Sequence, residues 1–91
     1  MKALDVWSVF EKHGFFARMR QRLTAKEKLH LKEETLADCS FSDLKSHLLL
    51  ELDELRKALF GGDNYARCNE LADVATMCGF VFSKIRELNE G

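Results

Sequence analysis

Two acidic pairs flanking a glycine break are the residues of this chain best placed to do chemistry. The stretch LLLELDELRKALFGGDNYARCNELADVATM, residues 48–77, carries Glu51 and Glu54, then 15 intervening residues, then Glu70 and Asp73. Residues three apart lie on one face of a helix. Two such pairs on adjacent antiparallel helices can therefore bring four hard oxygen donors to one place. That donor set suits Mg²⁺ or Mn²⁺, with water and phosphate oxygens completing the shell.

The elements that must position these acids can be read from the same sequence. Proline is absent from the 91 residues, and no stretch alternates apolar and polar residues for long enough to make a strand, so the pattern predicts helices throughout. The first runs from about Ala3 to His13 and stops at Gly14. A second starts near Thr24, where Thr24-x-x-Glu27 has the form of a capping box, and fades around Leu36–Ser40, with FFARMRQR (residues 15–22) as an irregular connection. Ser40 or Ser42 caps a third helix ending at Gly61-Gly62, and a fourth runs from Asp63 or Asn64 to about Asn89. The expected fold is one all-α domain over residues 1–91, an antiparallel bundle of about four helices whose last two form an αα-hairpin.

At 100° per residue, Leu44, Leu48, Leu55, Leu59, Phe41 and Leu52 form one stripe on the third helix, with Glu51 at its edge and Glu54 on the same flank. On the fourth, Val74, Met77, Val81, Ile85 and Leu88 surround Glu70, with Asp73 to one side. Carboxylates on core-facing edges are costly unless something compensates them. No lysine or arginine lies on the facing stripes near the hairpin to pair with all four. Lys84 shares a flank with Asp73 but lies about 16 Å further along the helix. A bound cation removes the conflict.

With the pairs Glu51-Leu-Asp-Glu54 and Glu70-Leu-Ala-Asp73 at this gap, and the words HLLLELDELRKAL and NELADV around them, residues 44 to 85 resemble the all-α nucleoside triphosphate pyrophosphohydrolases of the MazG type. The resemblance implies that Glu51, Glu54, Glu70 and Asp73 are both the Mg²⁺ ligands and the catalytic residues. The reaction it implies is hydrolysis of a (d)NTP to a nucleoside monophosphate and pyrophosphate. His47, one turn before Glu51, or one of the carboxylates would take the proton of the attacking water. Many members carry a further Asn or Asp in the turns after the second motif, where this chain has Thr76 and then apolar residues. The first half of the chain matches loosely, through VWSVFEKHGF.

Six basic residues and one acid lie between Arg18 and Lys32. They read either as a solvated basic face or as a source of phosphate ligands. For the second role Arg18, Arg20 and Arg22 are favoured, because an irregular connection lets side chains turn inward; Lys84 is a further candidate. Trp7 and Phe10, at i and i+3, read as core, and the resemblance adds Trp7 as a stacking surface for the base. Glu27-x-x-His30 is a single copy of a spacing that di-iron bundles use twice. Cys39, Cys68 and Cys78 are odd in number and lack C-x-x-C spacing, which predicts free thiols in a reducing cytoplasm.

A net charge of -1 gives no reason to expect a nucleic-acid partner. No apolar run approaches the roughly 20 residues of a membrane span, and the N-terminus lacks the features of a signal peptide. Apolar residues outside the main stripes, among them Leu49, Leu50, Cys78, Phe80 and Phe82, predict completion of the bundle by homo-oligomerisation, as a dimer or a dimer of dimers. The rival reading is a non-catalytic helical oligomer or regulator that keeps the fold, with or without the metal.

Overall fold

The computed structural model describes residues 3–30 and 39–90, and within those ranges the side chains of residues 5–25 and 39–89. Four helices account for nearly all of it: α1 (Ala3–Lys12), α2 (Phe15–His30), α3 (Phe41–Gly61) and α4 (Asn64–Glu90). The expected helices and their stops agree with this except at α2.

The α1 stop is chemical. Gly14 adopts φ +76°, a left-handed conformation that costs any residue with a Cβ about 1–2 kcal/mol, and its N–H donates to the Glu11 carbonyl. Instead of opening an irregular connection, the chain turns straight into α2, with the Arg18 N–H donating to the Gly14 carbonyl. FFARMRQR is therefore helical, and Thr24 lies in mid-helix, where its hydroxyl donates to the Arg20 carbonyl. The predicted capping box is corrected accordingly. The predicted fading of this helix around Leu36–Ser40 falls largely outside the described residues, as do the side chains of Lys26, Glu27, Lys28, His30 and Lys32.

Ser40 caps α3, its hydroxyl oxygen accepting from the Asp43 N–H, and Asp63 does the same for α4 by accepting from the Ala66 N–H. Between the two helices, the Gly62 N–H donates to the Ala58 carbonyl. A Cβ on Gly62 would sit 2.9 Å from that oxygen, whereas one on Gly61 would meet nothing, so only the second glycine is required for closure. Arg67 reaches back from α4 to donate to the Leu59 carbonyl and to add a second bond to the Ala58 carbonyl at the end of α3.

α4 is the central element. It packs chiefly against α3 and next against α2, while α1 packs on α2. Leu44 and Met77 are the buried pair, surrounded by Leu23, Cys39, Leu48, Phe80 and Val81. The buried faces differ from the apolar stripes of the sequence. On α3 the buried line is Leu44, Glu51 and Ala58, a seven-residue repeat with the glutamate at its centre, while Phe41, Leu52 and Leu59 are exposed. On α4 the buried residues are Asn69, Ala72, Asp73 and Met77, while Ile85 and Leu88 are exposed. The cause is geometric: α4 must face two helices at once, and the face it turns to α2 is polar. Among the described residues, no helix is long and apolar enough to cross a membrane.

Candidate functional site

Glu51 from α3 meets Glu70 and Asp73 from α4 where the hairpin helices cross, and one carboxylate oxygen from each lies within 4.8 Å of the others. Glu51 and Asp73 are each only 3% exposed, and Glu70 is half-buried. Glu51 Oε2 and Glu70 Oε2 are buried, with no hydrogen-bond donor reaching these atoms among the described residues. Glu54 is exposed and stands outside this group. Three of the four predicted acids are thus brought together and the fourth is not.

The compensating charge comes from an unpredicted direction. Arg22, on α2, donates from Nε to Asp73 Oδ1 at 3.1 Å and from Nη2 to Asp73 Oδ2 at 2.9 Å. No cation was expected on the facing stripes of the hairpin, and Arg22 comes instead from α2, which begins nine residues earlier than its predicted start at Thr24 and lays Arg18 and Arg22 along α4. The hydrogen bond to Asp73 raises the Arg22 pKa above its ordinary value, as do the charges of Asp73, Glu70 and Glu51, against the opposing effect of burial. One turn earlier, Arg18 Nη1 donates to Asn69 Oδ1 at 2.7 Å, and the same guanidinium lies 5.3 Å from the centre of the Tyr65 ring. Arg18 and Arg22 are thus matched, four residues apart, to Asn69 and Asp73, also four apart. That matched spacing was the available sequence signal, and it is usable only once FFARMRQR is read as helix.

The other predicted residues are dispersed. Arg20 is exposed, and Lys84 pairs with Glu87 at 3.3 Å. Trp7 stacks on Phe16 and meets Phe10 edge-on, within an aromatic group that Phe15 completes around the α1–α2 joint. His47 Nε2 lies 3.9 Å from Glu51 Oε1. An open groove of about 850 Å³ along α2, lined by His13, Arg18, Arg20 and Gln21 among others, has none of the three acids in its wall.

The donor set fits a hard divalent ion. Oxygens bound to one Mg²⁺ lie at most about 4.2 Å apart, so a group spanning 4.8 Å closes around an ion with small side-chain rotations. All three donors are carboxylates, the ligand type such ions prefer. The Arg22 guanidinium shares the same space and carries the same sign of charge as the ion. Comparison with protein-family models, with curated proteins and with solved structures finds no match to this chain.

Proposed function

We propose that this chain is a Mg²⁺-dependent nucleoside triphosphate pyrophosphohydrolase, converting a (d)NTP and water to a nucleoside monophosphate and pyrophosphate. The reading rests on the motif resemblance, and the observation that carries it is the convergence of Glu51, Glu70 and Asp73 from two helices. Three carboxylates gathered in one partly buried place carry a desolvation cost that a bound cation would offset.

In this reading Glu51, Glu70 and Asp73 would hold Mg²⁺, or Mn²⁺ in its place, while Glu54, which the resemblance makes a fourth ligand, stands exposed outside the group. The bound ion supplies charge neutralisation at the phosphates and a water activated for attack on phosphorus. His47, adjoining Glu51 and half exposed, or one of the carboxylates would take the water's proton. Arg18, Arg20 and Lys84 are the remaining cations for the triphosphate, and Trp7 offers the base a stacking face. Two copies of the chain, or a dimer of dimers, complete the site. Three cysteines outside any disulfide suit a cytoplasmic setting.

The second reading is a non-catalytic helical oligomer. The Arg22–Asp73 pair favours it, because a site neutralised from within has less need of an ion. A panel of canonical and modified (d)NTPs with Mg²⁺, followed by pyrophosphate release, separates the two. Activity that Glu51→Ala, Glu70→Ala and Asp73→Ala each reduce by at least a hundredfold supports the enzyme. A fully active Glu70→Ala protein sinks it.

A further inference from the structure

The Arg22–Asp73 pair sits where the proposed ion would, and the two cannot share the site without cost. Both Asp73 oxygens accept from the guanidinium, at 3.1 and 2.9 Å. Arginine does not shed its proton in proteins, so it cannot make way by becoming neutral. Any divalent ion bound among the oxygens of Glu51, Glu70 and Asp73 stands a few ångströms from that guanidinium. The acids are screened from water there, with the Asp73 side chain 1% exposed, so the repulsion is far less damped than at a surface.

Arg22 nevertheless has somewhere to go. Its side chain is 30% exposed and its stem is long and flexible, so the guanidinium can leave Asp73 toward solvent without α2 moving. In solvent it loses a two-point contact with a carboxylate. A phosphate offers the same planar, two-point recognition. An incoming polyphosphate can therefore take Arg22 from Asp73 as the ion arrives.

We propose that Arg22 is a resident counter-cation of the acid group, which a divalent ion displaces from Asp73 and which an entering polyphosphate then receives. The inference rests on the metal-site reading above and specifies how that site is loaded. Arg22 weakens the binding of an ion that comes alone and strengthens the binding of an ion that comes with phosphate. Ion and phosphate are coupled through it, and by linkage each raises the other's affinity by the same factor. Arg22 is thus a positioning residue for Asp73 in the empty site and a phosphate ligand in the loaded one.

The test is Mn²⁺ affinity, read by electron paramagnetic resonance of the free ion, with and without a triphosphate analogue whose α,β-bridge is methylene. Without the analogue, Arg22→Gln should bind Mn²⁺ at least tenfold more tightly than the unaltered protein. With it, the gain in Mn²⁺ affinity should be at least tenfold smaller in Arg22→Gln than in the unaltered protein. Arg22→Lys, which keeps the charge but not the two-point contact, should fall between them. If Arg22→Gln is unfolded without metal, millimolar Mn²⁺ should restore its helical circular dichroism, and failure to do so counts against the proposal. Equal Mn²⁺ affinity in all three proteins, abolished in each by Glu70→Gln, overturns the role of Arg22 and leaves the metal site standing. No Mn²⁺ binding to any of them, with or without the analogue, overturns both.

Discussion

Asp73 and Asp53 each face an arginine, and the contrast between them shows which carboxylate contacts matter. Asp53 is held by Lys57 and Arg56, both at 3.1 Å, on the exposed outside of α3. Hydrogen bonds from Lys57, then Arg56, lower its pKa, but pairs in water contribute little. Asp73 is buried, and its pair joins two helices that are distant in sequence. Breaking a buried pair is costly in proportion to the charge left behind, and here the two sides are unequal. Arg22→Ala removes the two-point contact from a buried carboxylate that has two further acids beside it, and should cost about 3 kcal/mol in metal-free buffer. Asp73→Ala leaves an arginine that can turn to Glu70 or to solvent, and should cost about 1–2 kcal/mol. Glu51→Gln removes one of three crowded like charges and should leave stability level or slightly raised. Urea denaturation with EDTA present measures all three, and a larger loss for Asp73→Ala than for Arg22→Ala would contradict the assignment of Arg22 as the group's counter-charge.

At the scale of elements, the two-glycine break yields a prediction in which neighbouring residues behave oppositely. Gly61 is helical with open space at its Cβ position, so Gly61→Ala should stabilise by up to about 1 kcal/mol through helix propensity. Gly62→Ala drives a methyl to within 2.9 Å of the Ala58 carbonyl oxygen, a backbone atom that cannot swing aside. A loss of about 1–3 kcal/mol is expected. In a domain of this size these changes move the melting temperature by roughly 4–8 °C per kcal/mol, so calorimetry resolves them, and a tolerant Gly62 would mean that the hairpin closes by another geometry. The stop at Gly14, a serine cap at Ser40 or Ser42 and a start at Asp63 or Asn64 were legible in the sequence, because capping is local chemistry. The start of α2 was not. Helix periodicity is seen when an apolar face is buried, but α2 turns Arg18 and Arg22 toward a polar face of α4, so its contact face has the composition of a surface. Thr24-x-x-Glu27 then imitated a start signal. The same cause hid the centre of the acid group: Glu51 was placed at the edge of a leucine stripe, whereas the buried line passes through it.

The molecule as a whole leaves much apolar surface uncovered. It exposes 6970 Å², against about 5,400 Å² for a compact monomer of this mass. Phe60, Phe82, Leu88, Leu49 and Trp7 are each more than half exposed, although large apolar side chains scattered singly would not be unusual. They lie on three helices, with Leu49 and Phe60 on α3, Phe82 and Leu88 on α4, and Trp7 on α1. Among the described residues the large buried apolar side chains at the centre are Leu44 and Met77, which leaves little margin for so much outside. Self-association around a two-fold axis buries the same residues twice and is the commonest solution. Sedimentation equilibrium at low micromolar concentration should therefore find twice the 10.5 kDa chain mass or a further doubling. Replacing Leu49 and Phe82 together by Lys should shift the distribution toward monomer. The melting temperature of the unaltered protein should rise with its concentration, because association stabilises by mass action. A 10.5 kDa species with a concentration-independent melting temperature would mean that the bundle is stable alone and that its exposed aromatics have another purpose.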